Sequence, residues 1–497
     1  MKKNRQYDSL DRQRRAGVLL HPTSLPGPGI NGDIGHQAYR FIEFLKSSGF
    51  KVWQMLPLGP THDDNSPYQC LSAHAGNPLL ISLEWLEDKQ WLDRTKIKLA
   101  ETDKQYRLQC LKLAAANFYS ADDTESMQQL SAFKAEHKDW LDDFALFMAL
   151  KIKFSNQPWY QWPVAERHRD TAALNEARTA LKALIQEFEF QQFIFFRQWH
   201  EIRDYGKQHD VELFGDMPIF VARDSADVWA CRQNFLMDAD GNMSLVAGVP
   251  PDAFSDSGQR WGNPLFDWEY MQSDGFSWWK HRFKTQLELF DLVRLDHFRG
   301  LESCWQIPAS EDTAINGRWV KSPGRELLTE LFAHFHRLPL IAEDLGVITD
   351  EVIALKKSFQ LAGMKVLQFA FDGNTSNPHL PHRHDPGDVV YTGTHDNDTS
   401  LGWIRNATNY HRDYFKQYLD IAEQSEQDDL WALIRHALLS VSFLSVLPMQ
   451  DLLMLDSSQR MNTPGTVGDN WSWRFNWDQL KPETVERISK LIVCYQR

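Results

Sequence analysis

The sequence contains little that is typical of a secreted, membrane-spanning or disordered protein. Its five cysteines are scattered over 497 residues without a Cys-x-x-Cys spacing, which predicts reduced thiols and a cytoplasmic location. The longest apolar run, 437–449, is interrupted by serines and is too short to span a bilayer. With 26 glycines and 22 prolines, the chain also lacks the composition of a low-complexity or disordered segment.

Positive charge is also scarce. The chain has 53 Lys and Arg against 67 Asp and Glu, which gives a formal net charge of −14. Such a chain repels a phosphate backbone, and the one basic segment, 2–15, is short and lacks the apolar core of a signal peptide. We therefore expect neither nucleic acid nor a membrane as a partner.

Aromatic residues, in contrast, are abundant. The sequence has 30 Phe, 19 Trp and 13 Tyr, and that many tryptophans exceeds what core packing usually requires. Flat aromatic rings also stack against the C–H faces of sugars, so the composition gives a weak indication of a carbohydrate ligand.

Short apolar runs rich in β-branched residues recur along the chain, and each is followed by polar residues. They are 16–20, 52–55, 212–215, 292–295, 340–342, 366–369, 389–392 and 444–447. Helix-like stretches separate several of them, which predicts a parallel sheet. Eight such units predict an α/β fold of the (β/α)8 TIM-barrel type, in which chemistry takes place at the carboxyl ends of the strands.

Two intervals are too long for simple crossovers, and no linker divides residues 1–497, so we expect a single catalytic barrel with insertions. Segment 85–210 contains Trp140, Phe144 and Phe147 at helical spacing and is predicted to be a helical insertion after strand 2. Residues 246–268 are dense in Gly, Pro and aromatic residues, and the segment 230–275 that contains them is predicted to be an active-site loop insertion after strand 3.

Three acidic residues stand at predicted strand ends. Asp296 follows Arg294 by two positions on one strand, so both side chains lie on one face and the guanidinium can keep the carboxylate ionised, as a nucleophile requires. Glu343 follows an apolar strand, where desolvation raises the pKa of a carboxyl and suits it to be a general acid. Asp396 is flanked by His395.

Taken singly, each acid has a simpler explanation as a helix cap or an acceptor for loop amides. Brought together by a barrel, two carboxylates and a third in support fit glycoside chemistry, in which one attacks the anomeric carbon and one protonates the leaving oxygen. Retaining enzymes hold these two groups about 5–5.5 Å apart and inverting enzymes about 6.5–9.5 Å apart. A metal-dependent hydrolase with Asp296, His297, His395 and Asp396 as ligands is an alternative, although that ligand set is incomplete.

A series of longer motifs occurs in the order that is characteristic of one enzyme family. The motifs are GVLLHPTSLPG, VWQMLPLGPT with SPYQ, FGDMPIFVARDSADVW, GVPPDAFSDSGQRWGNP, VRLDHFRG, AEDLG, THDND, and MNTPGT with NWSWR. From about Arg15 to about Trp477 the chain resembles the 4-α-glucanotransferases (amylomaltases, or disproportionating enzymes) of glycoside hydrolase family 77. The GVPP string is the most specific of these motifs, whereas VRLDHFRG and THDN are shared in looser form with the wider α-amylase superfamily.

The resemblance implies a decorated barrel without a separate C-terminal β domain and an enzyme that needs no cofactor or metal. It implies that α-1,4-glucan segments are transferred, with retention and through a covalent glycosyl–aspartate, to the 4-hydroxyl of glucose or a maltodextrin. Asp296 would be the nucleophile, Glu343 the acid/base, and Asp396 the group that stabilises the oxocarbenium-like state. The positions that would bind substrate are Arg294, His395, Tyr68, Asp216, Trp261, Asn263 and Asn397.

One segment of the sequence departs from the pattern of this family. Where many relatives have Gly-Tyr-Gly, the chain has His62-Asp63-Asp64, so it lacks an aromatic face that could support a secondary glucan site there.

Two alternative functions are compatible with the same motifs. An α-glucan hydrolase would use the same three carboxylates, and a non-catalytic glucan-binding protein would need none of them. Transfer requires a dry site, and we expect Phe254 and Trp261 to help form a lid that excludes water.

Overall fold

The computed structural model describes residues 7, 10–100, 103–251, 255–422, 424–466 and 468–497. The strands in this part of the chain are β1 (Arg15–Leu19), β2 (Val52–Gln54), β3 (Glu212–Met217), β4 (Leu245–Val249), β5 (Gln259–Arg260), β6 (Leu292–Leu295), β7 (Ser303–Pro308), β8 (Arg318–Lys321), β9 (Leu340–Ala342), β10 (Met364–Val366), β11 (Val389–Tyr391) and β12 (Leu444–Pro448).

The helices fall into three groups along the chain. Before β3 they are α1 (His36–Ser48), α2 (Leu83–Asp88), α3 (Arg94–Ala100), α4 (Lys104–Ser120), α5 (Thr124–Glu136), α6 (Lys138–Lys153), α7 (Val164–Arg167), α8 (Thr171–Ala180) and α9 (Lys182–Gln208). Between β3 and β10 they are α10 (Ala226–Ala230), α11 (Trp268–Ser273), α12 (Ser277–Leu289), α13 (Gly324–His334) and α14 (Asp350–Ser358). The remainder are α15 (Ser400–Asn406), α16 (Asn409–Leu419), α17 (Glu426–Leu439), α18 (Met449–Leu452) and α19 (Pro482–Cys494).

Eight of the strands form a parallel barrel. Their order is β10-β11-β12-β1-β2-β3-β6-β9, and a parallel bridge between Ile341 and Ala362 joins the two ends. The hydrogen bond from the Ala342 N–H to the Ala362 carbonyl, 2.8 Å long, completes this closure. The strands are mostly buried, as expected when helices cover the outer face and side chains fill the interior. The predicted (β/α)8 barrel is confirmed.

The sixth predicted strand is wrong in its position. The prediction was 366–369, whereas β10 ends at Val366 and Leu367–Phe369 form a 3-10 turn. The Asp344 carboxylate accepts the Met364 N–H at 2.7 Å, which fixes the start of the strand. The turn aims the Gln368 side chain at the Asp398 carbonyl, 2.9 Å away. The apolar run therefore continues past the strand because the turn is also buried.

Between β2 and β3 the chain is mainly helical. The Asp123 side chain accepts the Ser126 N–H and so begins α5, as its N-terminal cap. Phe144 and Phe147 are buried on α6, and Trp140 packs against the same core, which confirms the helix predicted from their spacing.

A second sheet, which the sequence did not predict, lies beside the barrel. It is antiparallel, with the order β5-β4-β7-β8; β4 and β5 belong to the segment predicted as a loop, and β7 and β8 follow β6. β4 contains Gly248, where an added Cβ would lie 2.3 Å from the Gln259 carbonyl oxygen. Glycine therefore allows β5 to approach, although it lowers the strand propensity of the sequence.

Two further findings concern the whole described chain. No helix in these ranges is long and apolar enough to cross a membrane. All five cysteines are free of disulfide bonds.

Candidate active site

The three predicted catalytic acids lie at the same end of the barrel. Asp296 directly follows β6, Glu343 directly follows the neighbouring β9, and Asp396 lies in the turn after β11. Because all eight barrel strands are parallel, their carboxyl ends form one rim. The backbone connects two of these positions, since the Glu343 N–H donates to the Leu295 carbonyl at 3.1 Å.

Arg294 bridges two carboxylates beneath this rim. Its Nη1 lies 2.8 and 2.6 Å from the two carboxylate oxygens of Asp216, and its Nη2 lies 2.8 Å from Asp296 Oδ1. Arg294 and Asp216 are buried, whereas the Asp296 side chain is 26% exposed. Burial raises the pKa of Asp216, and the charge of Arg294 opposes this rise. The predicted pairing of Arg294 with Asp296 is thus present, and Asp296 remains accessible from the cleft.

Glu343 has the environment of a proton donor. Its Oε2 accepts the His297 N–H and its Oε1 accepts the Leu345 N–H, both at 2.8 Å. Burial, with a contribution from the negative charge of Asp296, raises the pKa of Glu343 to about 7, although Arg294 and the two N–H groups act in the opposite direction. Near neutral pH this carboxyl can therefore both give and take a proton.

Tyr68 and His395 link Asp216 to Asp396. The Tyr68 hydroxyl donates to Asp216 Oδ2 at 2.7 Å and lies 2.9 Å from His395 Nε2. The two rings stack with their centroids 5.3 Å apart. His395 Nε2 is also 3.3 Å from Asp396 Oδ2. Burial alone would lower the pKa of His395, but the charge of Asp396 and its hydrogen bond raise it overall.

Asp396 is kept charged and open to the cleft. Desolvation would raise its pKa, but the charge and hydrogen bond of His395 and the hydrogen bond from Asn462 lower the pKa to about 2. Asn462 Nδ2 donates to Asp396 Oδ1 at 2.6 Å, and Arg460 donates to the Asp396 backbone carbonyl at 2.9 Å. The Asp396 side chain is 47% exposed. Asn462 belongs to the MNTPGT motif, but the sequence does not indicate the contacts that Asn462 and Arg460 make with Asp396.

Aromatic rings border the site on two sides. Trp261 is partly buried, and its ring meets the His297 ring edge to face with a centroid distance of 4.9 Å. The centroid of the Trp471 ring lies 5.8 Å from that of the Tyr68 ring and 6.1 Å from that of the His395 ring; Trp471 belongs to the NWSWR motif, which by itself predicts no position in the site. Phe254, which was predicted to belong to the lid, lies outside the described residues.

Two of the predicted substrate-binding residues use their side chains to hold loops together. Asn263 Nδ2 donates to the Val221 carbonyl at 2.8 Å, and its Oδ1 accepts from Gln69 Nε2 at 3.2 Å. Asn397 Oδ1 accepts the Thr394 N–H at 2.9 Å. These contacts position the loops around the cleft, and the expected substrate contacts of Asn263 and Asn397 stay predictions.

The loop that carries His395 and Asp396 is anchored from below by Asp451. This residue is fully buried behind the end of β12. It accepts hydrogen bonds from the hydroxyls of Thr392 and Ser400 at 2.6 and 2.7 Å and from the Ser400 N–H at 2.9 Å. The sequence placed Asp451 after a strand, but nothing in its spacing distinguished an anchor from a catalytic acid.

The four residues considered as metal ligands make contacts with other side chains. Asp296 is paired with Arg294, His395 with Asp396 and Tyr68, and His297 lies against Trp261. Within the described ranges, no group of three or more His, Cys, Asp or Glu side chains is arranged to hold a metal ion.

Comparison with known proteins gives one consistent family. A sequence profile described as 4-alpha-glucanotransferase matches residues 20–480. The 4-alpha-glucanotransferases of Thermus thermophilus and a Synechocystis strain are 46% and 45% identical; each alignment covers 98% of this chain and, respectively, 100% and 98% of the relative. The solved amylomaltase from Streptococcus agalactiae in complex with acarbose is 34% identical, with a TM-score of 0.94, over 98% of this chain and 100% of that one.

The profile covers most of the chain, and the alignments with the two relatives cover 98% of the chain. The alignments include the rim that carries Asp296, Glu343 and Asp396. The chain belongs to the 4-α-glucanotransferase family, glycoside hydrolase family 77.

Proposed function

We propose that this chain is a retaining 4-α-glucanotransferase that moves α-1,4-glucan segments between maltodextrins through a covalent glycosyl–Asp296 intermediate. Its relatives carry the name of that activity, and a similar structure was solved with acarbose. The observation that carries the proposal is the contrast between two neighbouring carboxyls. Asp296 is paired with a guanidinium, whereas burial brings the pKa of Glu343 to about 7.

In the first half of the reaction Asp296 attacks the anomeric carbon of the donor glucan. Arg294 holds Oδ1, which leaves Oδ2 for the attack. Protonated Glu343 gives its proton to the glycosidic oxygen as the bond to the leaving sugar breaks. The products are the glycosyl–Asp296 ester, ionised Glu343 and a shortened glucan with a free 4-hydroxyl.

Asp396, His395 and Tyr68 support the transition state. The Asp396 carboxylate is charged and half exposed, so it can accept hydrogen bonds from sugar hydroxyls that face it. Its negative charge also favours the positive charge that develops on the sugar ring. His395 and Tyr68 fix its position through the contacts at 3.3 and 2.9 Å.

In the second half the acceptor takes the place of the leaving sugar. Glu343 accepts the proton of the 4-hydroxyl of a glucose or maltodextrin, and that oxygen attacks the anomeric carbon and releases Asp296. Water competes for the same intermediate, so transfer requires an acceptor side that binds sugar and excludes solvent. The Trp261 ring against His297 contributes to such a wall. We place this reaction on maltodextrins in the cytoplasm, in keeping with the free cysteines.

Incubation with maltotriose tests the activity. Transfer gives glucose and a ladder of longer maltodextrins, whereas hydrolysis gives only shorter sugars and new reducing ends. The Asp296→Asn variant should lose the ladder and still bind the sugar; Asp274→Asn, at an exposed acid that makes none of the contacts described for the site, is the matched control.

The covalent step needs a separate test. Glu343→Gln treated with α-glucosyl fluoride, which needs no acid to leave, should accumulate a chain that is heavier by one glucosyl group on Asp296. New linkages with β configuration, or no mass increase on Asp296, would refute retention through this residue.

A further inference from the structure

One side of α16 carries three tyrosines that are spaced four residues apart. Tyr410, Tyr414 and Tyr418 therefore follow one another along the helix, over about 12 Å at 1.5 Å per residue. Tyr410 is 62% exposed, more than any other Phe, Trp or Tyr in the described ranges; Tyr270, at 38%, is next. Tyr414 and Tyr418 are partly buried beside it. These three residues are called the tyrosine stripe below.

The surrounding chain holds the tyrosine stripe in place. The Tyr410 hydroxyl lies directly over Gly373, where an added Cβ would be 1.9 Å from that oxygen. At the other end the Tyr418 hydroxyl accepts the His382 N–H at 3.2 Å and lies 2.7 Å from its Nδ1. Gly373 also has a φ of 82°, so glycine serves both the backbone conformation and the close approach of the phenol.

The stripe begins at the catalytic end of the barrel. Gly373 lies in the loop that follows the carboxyl end of β10, and Gln368 in the same loop donates to the Asp398 carbonyl, next to the THDN turn. His382 lies further along the same connection, which leads from β10 to β11. The stripe therefore packs against the β10–β11 connection, and its Tyr410 end lies at the loop that follows β10.

We propose that the tyrosine stripe binds an α-glucan chain at a distance from the cleavage point. This inference rests on the proposed function, because a polymeric substrate can contact the enzyme at more than one place. An exposed phenol offers a flat apolar face and a hydroxyl, which match the C–H face and hydroxyls of a sugar. The exposed Asn374, Thr375 and Ser376 beside Gly373 supply further hydrogen-bonding groups.

Charge and area favour this occupant over others. The net charge of −14 disfavours an anionic ligand and does not affect a neutral glucan. A second copy of the chain would need to bury about 800 Å² on each partner, whereas only one ring of the stripe is more than half exposed. A single narrow chain of sugars needs less exposed surface than a protein does, and one exposed ring with two partly buried rings beside it supplies a surface of that size.

The test compares long and short glucans. In the Asp296→Asn background, which prevents turnover, Tyr410→Ala should weaken the retardation by soluble amylose in affinity electrophoresis about 3- to 10-fold, the usual effect of losing one stacked ring. In the active chain, Tyr410→Ala should raise KM for amylose and leave the maltotriose kinetics unchanged. Tyr410→Phe should retain most of the affinity. Tyr270→Ala, at the other exposed tyrosine, is the matched control.

Three results would overturn the proposal. Amylose binding could be unchanged in Tyr410→Ala, or it could fall equally in Tyr270→Ala, or Tyr410→Ala could change only the oligomeric state in size-exclusion chromatography. If Tyr410→Ala does not fold, Tyr410→Trp should strengthen amylose retardation, and weaker retardation contradicts the proposal. Failure of the proposed function is distinguishable, because it removes the maltotriose ladder of the unmodified chain without affecting amylose retardation.

Discussion

Replacing Glu343 by Gln should make the stability of the chain less sensitive to pH. The native state holds this carboxyl in a buried site, where burial raises its pKa from 4.5 to about 7. Because the folded pKa is the higher one, the native state binds the proton more tightly than the unfolded chain does. The stabilising effect of that proton is complete below pH 4.5 and is lost as the pH rises to about 7.

The magnitude follows from the size of the shift. A pKa that rises from 4.5 to about 7 corresponds, at about 1.36 kcal/mol per pH unit, to about 3 kcal/mol, and most of this falls between pH 5 and pH 8. Unfolding 497 residues at about 2.1 cal/mol/K each gives an entropy of about 1 kcal/mol/K. The Tm of Glu343→Gln, relative to the unmodified chain, should therefore be about 2–3 °C higher at pH 8 than at pH 5.

The assay is a pair of thermal scans for each protein, at pH 5 and at pH 8. The amide also changes the hydrogen bonds to the His297 and Leu345 N–H groups, but that effect is the same at both pH values and cancels in the comparison. Glu483→Gln, at an exposed position on α19, should show no relative change between the two pH values. A Tm difference for Glu343→Gln that is equal at pH 5 and pH 8 would refute the raised pKa and with it the argument for an acid at this position.

Three further predictions concern the walls, the anchor and the charges of the site. Trp261→Ala should raise the release of glucose relative to chain redistribution from maltotriose, because water gains access to the intermediate; an unchanged ratio contradicts this role. Asp451→Asn should lower kcat about 10- to 100-fold through displacement of the Asp396 loop, with a smaller effect from Ser440→Ala, a buried serine outside that loop. Asp296→Asn should lower the pKa of Glu343, measured by carbon NMR of labelled Glu, because one negative charge that raises it is removed.

The barrel could be predicted from the sequence because its strands are buried runs that end in polar residues. β6 and β9 are examples, since a short apolar strand leads directly to Asp296 in one and to Glu343 in the other. The pairing of Arg294 with Asp296 could also be predicted, because two positions along one strand place both side chains on one face. These features depend on local sequence and on one rule for parallel barrels.

Features that depend on distant contacts could not be predicted in this way. The second sheet joins segments that are far apart in the sequence, since β4 pairs with β7 about 60 residues away along the chain. Asp451 has the same appearance in sequence as a catalytic acid, and only the hydroxyls of Thr392 and Ser400 around it show that it is an anchor. The exposure of Tyr410 likewise depends on how α16 packs, which a four-residue spacing does not determine.

In the proposed reaction one carboxyl serves both halves, and the charges that bring the pKa of Glu343 to about 7 change between them. In the free enzyme the negative charge of Asp296 adds to burial and raises the pKa of Glu343, so the proton is available when the glycosidic oxygen leaves. Once the proposed ester with Asp296 has formed, that charge is gone, while Arg294 remains and continues to lower the pKa of Glu343. The Glu343 carboxylate is therefore a weaker base in the second half of the proposed reaction, where it must accept the proton of the acceptor hydroxyl. This lower basicity slows the deprotonation of the acceptor. Orientation of the acceptor hydroxyl by the surrounding loops must compensate for this loss of basicity, and a well-bound sugar meets that requirement better than a mobile water molecule does.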